Sequence, residues 1–507
     1  MLEHENKRRR DVAAPYKTAA NRKENTMSEG AKIELVSRGA KDAFFTNAEA
    51  RRTWFGAPYE RRSPSTHEIR LVYPEAGARF GHWVDIELPN SGDILMSAVI
   101  RIQMPTWLPP EVAALNKTDI ITVESETWPG EFIRYGWTNG ITNYLVQRWA
   151  LFADNVMIVD GWGDFNSWFP DMETTQLHAP LIHASTGTHN GTDYNIQQNA
   201  VLPELVFRVP IIGCQGVADV GLPMCALHRY QRLYLRLWLN DKTQLVESGQ
   251  YLGPPEPADT GIFLSRYEPC PAPWGGRRIK INDVLSEYVT LKDYEVGQPY
   301  LYARYAMLNL DDETRAAMRA TPQAITFRQE LRQDFTVEDK DWNPTTEFKQ
   351  ILDIHGLFQA LFIGIIGNAR MKQNKYRDLN PPGVPPAAVY NEATRRDWLL
   401  NLNLRVNGID RIYNWPPKKF QELANNTQLL RDVETQLYSL IFGINPDSVP
   451  AGPCNLSRTQ KVLLCMQLDD VLQDPMSDSR QAFASVLGLS WNALMIRDGR
   501  CELMYSE

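Results

Sequence analysis

Residues 94–104 read Ile-Leu-Met-Ser-Ala-Val-Ile-Arg-Ile-Gln-Met, and every second position is apolar. The positions that share one side are Ile94, Met96, Ala98, Ile100, Ile102 and Met104. Successive side chains of a β-strand point to opposite sides, so this alternation predicts a long strand with one buried side. The same alternation returns at residues 233–239 and 400–406. Strands of this kind form antiparallel sheets that bury one side and expose the other to water.

Further strands are predicted along the rest of the chain, at residues 83–88, 156–159, 325–337, 436–443, 461–468 and 489–495. The most apolar stretch is GLFQALFIGIIG, at residues 356–367. It is far shorter than the roughly 20 residues that cross a bilayer, and we interpret it as a buried pair of strands. Segments rich in proline and glycine, at residues 253–257 and 381–386, predict that loops rather than helices connect the strands.

The length of 507 residues exceeds what one hydrophobic core usually holds, which predicts two domains. Residues 310–319 form the best helix candidate, because acids stand at its start, Arg315 and Arg319 stand near its end, and Pro322 follows. We expect this helix to connect two strand-rich halves. The predicted class is all-β, with two sandwiches of the jelly-roll or immunoglobulin kind. The expected divisions are a flexible basic arm at 1–32, a first domain at 33–310, a connecting helix at 311–321 and a second domain at 322–507.

Charge and composition limit the classes of function that the chain can have. Hydrophobic residues make up 43% of the chain and charged residues 22%, as in a folded globular protein. A net charge of −8 does not suit a protein that wraps nucleic acid, so we expect no specific nucleic-acid partner. The first 30 residues carry seven Lys or Arg against five Asp or Glu, including the run at 7–10. This arm is interpreted as a flexible tail or as a contact with other subunits or nucleic acid, and a third interpretation is that Met27 is the natural start.

Cysteine usage and the N-terminus point to a reducing compartment. The six cysteines include no CxxC pair, so neither a disulfide framework nor a structural zinc site is predicted. The N-terminal residues are charged where a secretory signal would be apolar, and we therefore expect assembly in the cytoplasm.

Common catalytic motifs are missing from the sequence. It contains no GxxxxGK(S/T), HExxH or GxSxG motif, which removes the easiest routes to an NTPase, a zinc protease or an α/β-hydrolase. His178, His183 and His189 form a loose cluster that could bind iron in a β-sandwich dioxygenase. Their spacing places the first two on opposite sides of a strand, and Gly187 interrupts the second pair. We expect solvated loop histidines, no metal and no cofactor.

Three carboxylates lie among aromatic residues in the stretch DGWGDFNSWFPD. They are Asp160, Asp164 and Asp171. Paired carboxylates beside aromatic rings can cleave glycosidic bonds, and this reading makes the chain a β-sandwich enzyme or glycan-binding protein. The alternative is a turn in which the aspartates cap backbone groups and the rings pack. We expect the second arrangement, and no catalytic residue is assigned.

Several segments in the first half resemble the major capsid proteins of nucleocytoplasmic large DNA viruses, the double jelly-roll family. Residues 39–46, GAKDAFFT, resemble the opening signature G-x-Q-D-x-x-L-T, with a lysine in place of the glutamine. Residues 59–63, YERRS, resemble Y-x-R-H-T, and 92–94, GDI, resemble the Gly-Asp-Leu that opens a long strand. Residues 222–230 resemble L-P-L-I-A-L-Q-Y-H-E with an altered order, and 305–315 resemble the connector Y-I-F-L-D-x-E-E-R.

The second half resembles the family more closely. Residues 407–411, NGIDR, resemble N-G-x-D-R, and 438–439 resemble the Y-S-F strand. Residues 445–458 resemble N-P-x-x-x-P-S-G-x-x-N-F-S-R, and 491–499 resemble the ending N-x-L-x-I-x-x-G. Each block is short, but their number, order and spread from residue 39 to 499 make the resemblance specific.

The resemblance implies two consecutive eight-stranded antiparallel jelly rolls with long loops and a short connecting helix. It further implies that three copies form a pseudo-hexameric capsomer, and that capsomers tile an icosahedral virion shell over an internal membrane. Partners would be further copies of the chain, neighbouring capsomers, minor capsid and penton proteins, and that viral membrane. No catalysis is required. A related scaffold or minor capsid protein would share the fold and is the alternative within this class.

A few residues are expected to shape turns or contacts. Gly452 and Pro453 would form a turn before the last strands, because Gly tolerates positive φ and Pro fixes φ. Asp410 and Arg411 would form an ion pair, a loop anchor or an ordinary turn. Large aromatic residues would anchor contacts between subunits or pack in the core, and these are Trp107, Trp128, Trp137, Trp162, Trp168 and Trp274.

Overall fold

A computed structural model of the chain shows a protein built almost entirely of antiparallel strands. It describes residues 65–105, 121–124, 130, 132–173, 185–188, 204–209, 221–227, 231–248, 250–251, 266–267, 277–281, 284–289, 296–308, 310–379, 381, 397–420, 437–442, 454–457, 459, 461–469 and 481–505. Glu68–Ala306 and Asp311–Glu507 belong to one compact unit. Met1–His67 with Met307–Leu310 belong to another, most of which lies outside the described residues.

The first half of the chain contains fifteen strands and two short helices among its described residues. In chain order they are β1 (Ser65–Val72), β2 (Trp83–Leu88), β3 (Ile94–Ile102), β4 (Ile121–Glu124), β5 (Phe132–Trp137), α1 (Ile141–Leu145), β6 (Val146–Ala153), β7 (Val156–Trp162), α2 (Gly163–Glu173), β8 (Leu205–Val209), β9 (Leu233–Leu239), β10 (Val246–Ser248), β11 (Gln250–Tyr251), β12 (Arg266–Tyr267), β13 (Arg277–Ile281), β14 (Val284–Val289) and β15 (Tyr300–Leu308). Single 3-10 turns lie at Met224–Ala226 and Lys242–Gln244.

The second half contains ten strands and two helices among its described residues. They are α3 (Asp312–Ala320), β16 (Gln323–Val337), β17 (Phe348–Leu352), β18 (Leu357–Gly367), α4 (Asn368–Lys372), β19 (Leu399–Val406), β20 (Ile409–Trp415), β21 (Leu437–Ile441), β22 (Cys454–Asn455), β23 (Val462–Leu468), β24 (Ala482–Arg497) and β25 (Arg500–Leu503). A 3-10 turn lies at Asp339–Asp341. No helix in the described part of the chain is long and apolar enough to span a membrane.

Each half builds its body from two four-stranded sheets. The first has the strand orders β1-β15-β3-β8 and β2-β9-β6-β7, and a further sheet, β10-β5-β4-β13-β14, forms from its long connections. The second has β16-β24-β18-β21 and β17-β23-β19-β20, with β22 and β25 added to the first of these. Eight main strands per half, in two antiparallel sheets, form the two predicted jelly rolls, which we call roll 1 and roll 2.

Strand β3 is present as predicted, but near its start the opposite set of side chains is buried. Leu95 is fully buried, whereas Ile94 and Met96 are only half-buried. The cause is a register shift against β15, where Arg304 pairs with Ser97 but Tyr305 pairs with Leu95. A bulge of this kind leaves one residue unpaired and exchanges the two sides of the strand beyond it.

The apolar stretch at 356–367 is a single strand, so the prediction of a strand pair was wrong. Strand β18 runs continuously through it, hydrogen-bonded to β24 on one side and β21 on the other. Both of its faces are covered: Phe358 and Ile363 pack in the core of roll 2, while Phe362 and Ile366 pack in a cluster with residues of roll 1. A strand buried on both faces has no polar side, and its sequence therefore shows no alternation.

Strand β19 also departs from simple alternation. Leu400 is 36% exposed and Asn403 is 7% exposed, the reverse of what the pattern predicted. Register shifts in its pairing with β20 and β23 account for the change. The buried Asn403 amide is satisfied, because its Nδ2 donates to Glu347 at 2.8 Å.

The predicted helix is observed as α3. Asp311 caps it by accepting a hydrogen bond from the Thr314 amide at 2.8 Å, and this bond lowers the pKa of Asp311. Asp312 and Glu313 lie in its first turn and Arg319 in its last, so the charges oppose the helix dipole as expected.

Candidate functional site

Three segments that carry the sequence resemblance meet at one place in the fold. Asp93, at the entry to β3, is 5% exposed and pairs with Arg315 of α3, with 3.1 Å between Oδ1 and Nη2. The backbone amide of Cys225, in the turn Met224–Ala226, donates to the Asp93 carbonyl at 2.9 Å. The Arg319 Nε donates to the Cys225 carbonyl at 3.0 Å. Helix α3, which follows β15, is thus held against the first half of the chain by contacts from two successive turns of the helix.

Gly92 has a packing reason to be glycine. A Cβ at this position would lie 2.5 Å from the Cβ of Tyr305, closer than any real contact. The Tyr305 hydroxyl reaches past Gly92 and donates to the Pro89 carbonyl at 2.7 Å. Burial raises the pKa of this tyrosine, which therefore remains a hydrogen-bond donor at any physiological pH.

The carboxylates of the DGWGDFNSWFPD stretch are held by arginines. Asp160 of β7 accepts from Arg148 Nη2 at 2.7 Å. Asp164 of α2 accepts from Arg332 Nη1 of β16 at 2.6 Å, which joins roll 1 to roll 2. Asp171 lies in α2, and its side chain is outside the described part. The two described carboxylates form structural ion pairs, which favours the packed arrangement over the glycosidase reading.

A third carboxyl group, missed by the sequence analysis, completes this junction. Glu330 of β16 is 6% exposed and its Oε2 accepts from the Trp162 amide at 3.0 Å. Burial raises the pKa of Glu330 well above its usual value. The hydrogen bond from the Trp162 amide lowers this pKa, whereas the nearby Asp160 and Asp164 raise it. In the sequence Glu330 stands among alternating polar residues of a strand, so nothing distinguishes it from a solvent-facing glutamate.

Aromatic packing between the rolls lies next to this polar junction. Phe165 and Trp168 of α2 pack with Ala360 and Phe362 of β18. Gly364 makes room for the indole, since a Cβ there would lie 2.6 Å from Trp168 Cη2. A cavity of about 360 Å³ opens beside these residues. Trp168 therefore packs roll 1 against roll 2 within one chain.

Other predicted positions have mixed outcomes. Trp137 is 3% exposed and belongs to the core of roll 1, and Trp162 is half-buried. Asp410 pairs with Arg405 at 2.5 Å, in the hairpin of β19 and β20 that turns at Asn407 and Gly408. The remaining candidates lie outside the described residues, and these are residues 1–32, Trp107, Trp128, His178, His183, His189, Trp274, Gly452 and Pro453.

The described ranges contain neither a metal-binding cluster nor a disulfide. There, no group of three or more His, Cys, Asp or Glu side chains could hold a metal ion. Within the same ranges the cysteines are free thiols, at Cys225, Cys454, Cys465 and Cys501.

The outward side of the sheet β1-β15-β3-β8 is unusually apolar for a solvent-facing surface. We call it the tyrosine face, and its apolar side chains include Ile69, Leu71, Tyr73, Val99, Tyr300 and Tyr302. Ile69 is 62% exposed and Tyr73 is 57% exposed. Sheets of this kind normally present polar residues to water, so the exposed apolar side chains on the edge strand β1 depart from the usual pattern.

The outward side of the other sheet of roll 1 is charge-neutral and crossed by arginines. Arg236 makes two hydrogen bonds to Asp85 and lies 4.3 Å from the ring centre of Trp83. Arg148 lies 5.1 Å from the ring centre of Trp238 and pairs with Asp160. Both of these arginines are thus neutralised by an aspartate and stacked on an aromatic ring.

Comparison with known proteins gives a match in structure and none in sequence. No protein-family model matches the chain, and no curated protein matches it. The fold is similar to that of PBCV-1 VP54, fitted into a cryo-EM reconstruction of the virophage Sputnik, with a TM-score of 0.61, 15% identity and coverage of 90% of this chain and 100% of that chain.

Two further viral structures are similar. The Faustovirus major capsid protein gives a TM-score of 0.55 at 10% identity, over 92% of this chain and 98% of that one. A chain of the Sputnik virophage gives 0.53 at 10% identity, over 90% and 91%. At such identities the likeness establishes the fold, which is the double jelly roll of these viral proteins.

Proposed function

We propose that this chain is the major capsid protein of a large icosahedral double-stranded DNA virus. Its role is structural and needs no catalysis. The observation that carries the proposal is the double jelly roll itself, which is similar to PBCV-1 VP54 over 90% of this chain and the whole of the other. The family-like sequence segments support it independently, because those at Asp93, Cys225 and Arg315 contact one another in the fold.

Three copies would form a pseudo-hexameric capsomer, and capsomers would tile the virion shell after assembly in the host cytoplasm. Residues 33–310 and 322–507 would be the two jelly-roll domains, joined by the helix at 311–321. Closed cyclic symmetry would prevent the exposed strand edges from templating unlimited association. Neighbouring capsomers, minor capsid and penton proteins and an internal membrane would be the remaining partners.

The ion pairs at the junction fit a shell subunit better than an enzyme. Asp160 and Asp164 have arginine partners that hold them in place, and Arg332 links the two rolls of the chain. Such contacts fix the angle between the rolls, and a subunit that must repeat many times in a lattice depends on that angle. A scaffold or minor capsid protein would need the same rigidity, and it is the second candidate.

Mass and shape in solution test the proposal. The purified protein should have the mass of three chains of 57.9 kDa each, and electron microscopy should show particles with a hexagonal outline. At high concentration these particles should form extended arrays. A protein that remains monomeric at every concentration would refute the proposal. Trimers that never form arrays, but bind to a shell made of another protein, would favour the minor capsid role.

A further inference from the structure

We propose that the tyrosine face is the surface through which a second copy of this chain packs against roll 1. This inference rests on the proposed function and adds to it the place of one subunit contact. Ile69 and Leu71 lie on the exposed side of the edge strand β1, and the exposed Tyr73 directly follows the strand's last residue. Exposed apolar rows of this kind cost solubility, and proteins retain them where a partner covers them.

The aromatic residues of the face are already fixed in place before any contact forms. The Tyr300 hydroxyl donates to Glu204, and Arg101 Nη1 donates to the same carboxylate at 2.9 Å. Arg101 also lies 4.5 Å from the ring centre of Tyr302, and the rings of Tyr73 and Tyr300 are 5.8 Å apart. Side chains that are held in this way lose little conformational entropy on binding, and Tyr and Arg are common hot-spot residues.

Charge identifies the partner as another copy. The face carries three arginines, Arg101, Arg208 and Arg304, and one carboxylate, Glu204, so its net charge is three minus one, or +2. The whole chain has a net charge of −8, so the residues outside the face carry −8 minus +2, or −10. A positive patch on an acidic chain is complementary to other surfaces of the same chain. Anionic membranes and nucleic acids are usually bound by denser basic clusters of about four to eight Lys or Arg.

The size of the face fits part of a subunit interface. Four strands at about 4.8 Å spacing and roughly seven residues at about 3.4 Å give a footprint on the order of 450 Å². A standard interface covers about 800 Å² per partner, so the face would supply about half of one. Loops beside the sheet would supply the remainder. The arrangement in a closed trimer is heterologous, and the tyrosine face would therefore meet a different patch of the neighbouring copy.

Removing the apolar row tests the inference. The double variant Ile69→Ser and Tyr73→Ser changes two exposed side chains and should leave the fold intact, as near-ultraviolet circular dichroism would verify. We expect the trimer to dissociate at concentrations at least about 30-fold higher than wild type, the effect of losing one hot-spot residue. Ile409→Ser is the matched control, because Ile409 is 65% exposed on a strand of roll 2. The control should leave the mass unchanged in sedimentation velocity experiments.

A charge reversal, Arg304→Glu, probes the electrostatic part of the argument. It should weaken the trimer, and the difference from wild type should shrink at high salt because ions screen exposed charges. Hydrogen exchange on the wild-type protein gives a second readout: peptides covering 68–73 should be protected in the trimer and exchange faster after dilution to monomer.

Outcomes separate this inference from the proposed function. A wild-type protein that never forms trimers refutes the function and the inference together. A trimer that survives the Ile69/Tyr73 double variant, or that gives no protection of 68–73, overturns the inference alone. Loss of binding to a 20-base-pair DNA or to phosphatidylserine vesicles in Arg304→Glu, with the trimer unchanged, would also overturn it and assign the face to an anionic partner.

Discussion

Replacing the buried Glu330 by glutamine should remove one pH-dependent contribution to the stability of the junction between the rolls. The carboxyl group is 6% exposed, and burial raises its pKa well above the ordinary value of 4.5. Glutamine keeps an oxygen that can accept the hydrogen bond of the Trp162 amide, which Glu330 now accepts at 3.0 Å. The substitution therefore changes the ionisation and preserves the contact.

The direction of this pH dependence follows from the linkage between proton binding and folding. A carboxyl group whose pKa is raised in the folded state costs no stability below its unfolded pKa, because both states are then protonated. As the pH rises above about 4.5, the unfolded state ionises first and the free energy of unfolding falls by up to about 1.4 kcal/mol per pH unit until the folded-state pKa is reached. Between pH 5 and pH 7 the wild type should thus lose stability relative to Glu330→Gln, with a slope of at most about 1.4 kcal/mol per pH unit.

Urea denaturation followed by tryptophan fluorescence at pH 5, 6 and 7 measures this difference. Glu338→Gln is a matched control of opposite sign, since Lys340 lowers the pKa of the exposed Glu338. The stability contributed by Glu338 is lost only as the pH falls below the unfolded pKa of about 4.5, so the effect of Glu338→Gln should change little between pH 5 and pH 7. Parallel pH profiles of wild type and Glu330→Gln would refute the account of a buried carboxyl group with a raised pKa at the junction.

Other perturbations test separate parts of the fold. Asp93→Ala removes the partner of Arg315 and should lower the free energy of unfolding by about 1–3 kcal/mol, which urea denaturation measures. An unchanged urea midpoint would mean that other contacts hold the connecting helix. Gly364→Ala places a methyl group against Trp168 and should cost about 1–3 kcal/mol, seen as a lower melting temperature in calorimetry. Tyr300→Phe should remove the absorbance change of one tyrosine that ionises with a pKa of about 12, because the hydrogen bond from the Tyr300 hydroxyl to Glu204 raises that pKa. A titration curve identical to that of the wild type would contradict this hydrogen bond.

Part of the secondary structure could be predicted from the sequence, because interactions between residues close together in the chain determine it. Strands β2 and β9 have the predicted bounds, since their buried side chains alternate strictly and no bulge interrupts the pairing between these two strands. The helix α3 (Asp312–Ala320) lies within two residues of the predicted 310–319, because acids at its start and arginines near its end complement its dipole. In such segments a residue's neighbours two to four positions away fix its environment.

The candidate site was less predictable, because it depends on residues that are far apart in the chain. Asp164 was singled out in the sequence, but its partner Arg332 follows 168 positions later and could not be identified. Glu330 became significant only when the fold placed it beside β7. No sequence pattern signals a carboxylate that is buried by a distant strand.

The order of polar and apolar residues along the chain therefore determined by itself that this protein is built of half-buried strands, where one helix falls and which catalytic motifs are missing. Tertiary structure alone decided that β18 is one strand covered on both faces, that Trp168 joins the two rolls and that Ile69, Leu71 and Tyr73 stay exposed. The physical reason is that alternation fixes which residues share a side of a strand. Whether that side meets water, the other roll or another chain depends on how distant segments pack against it.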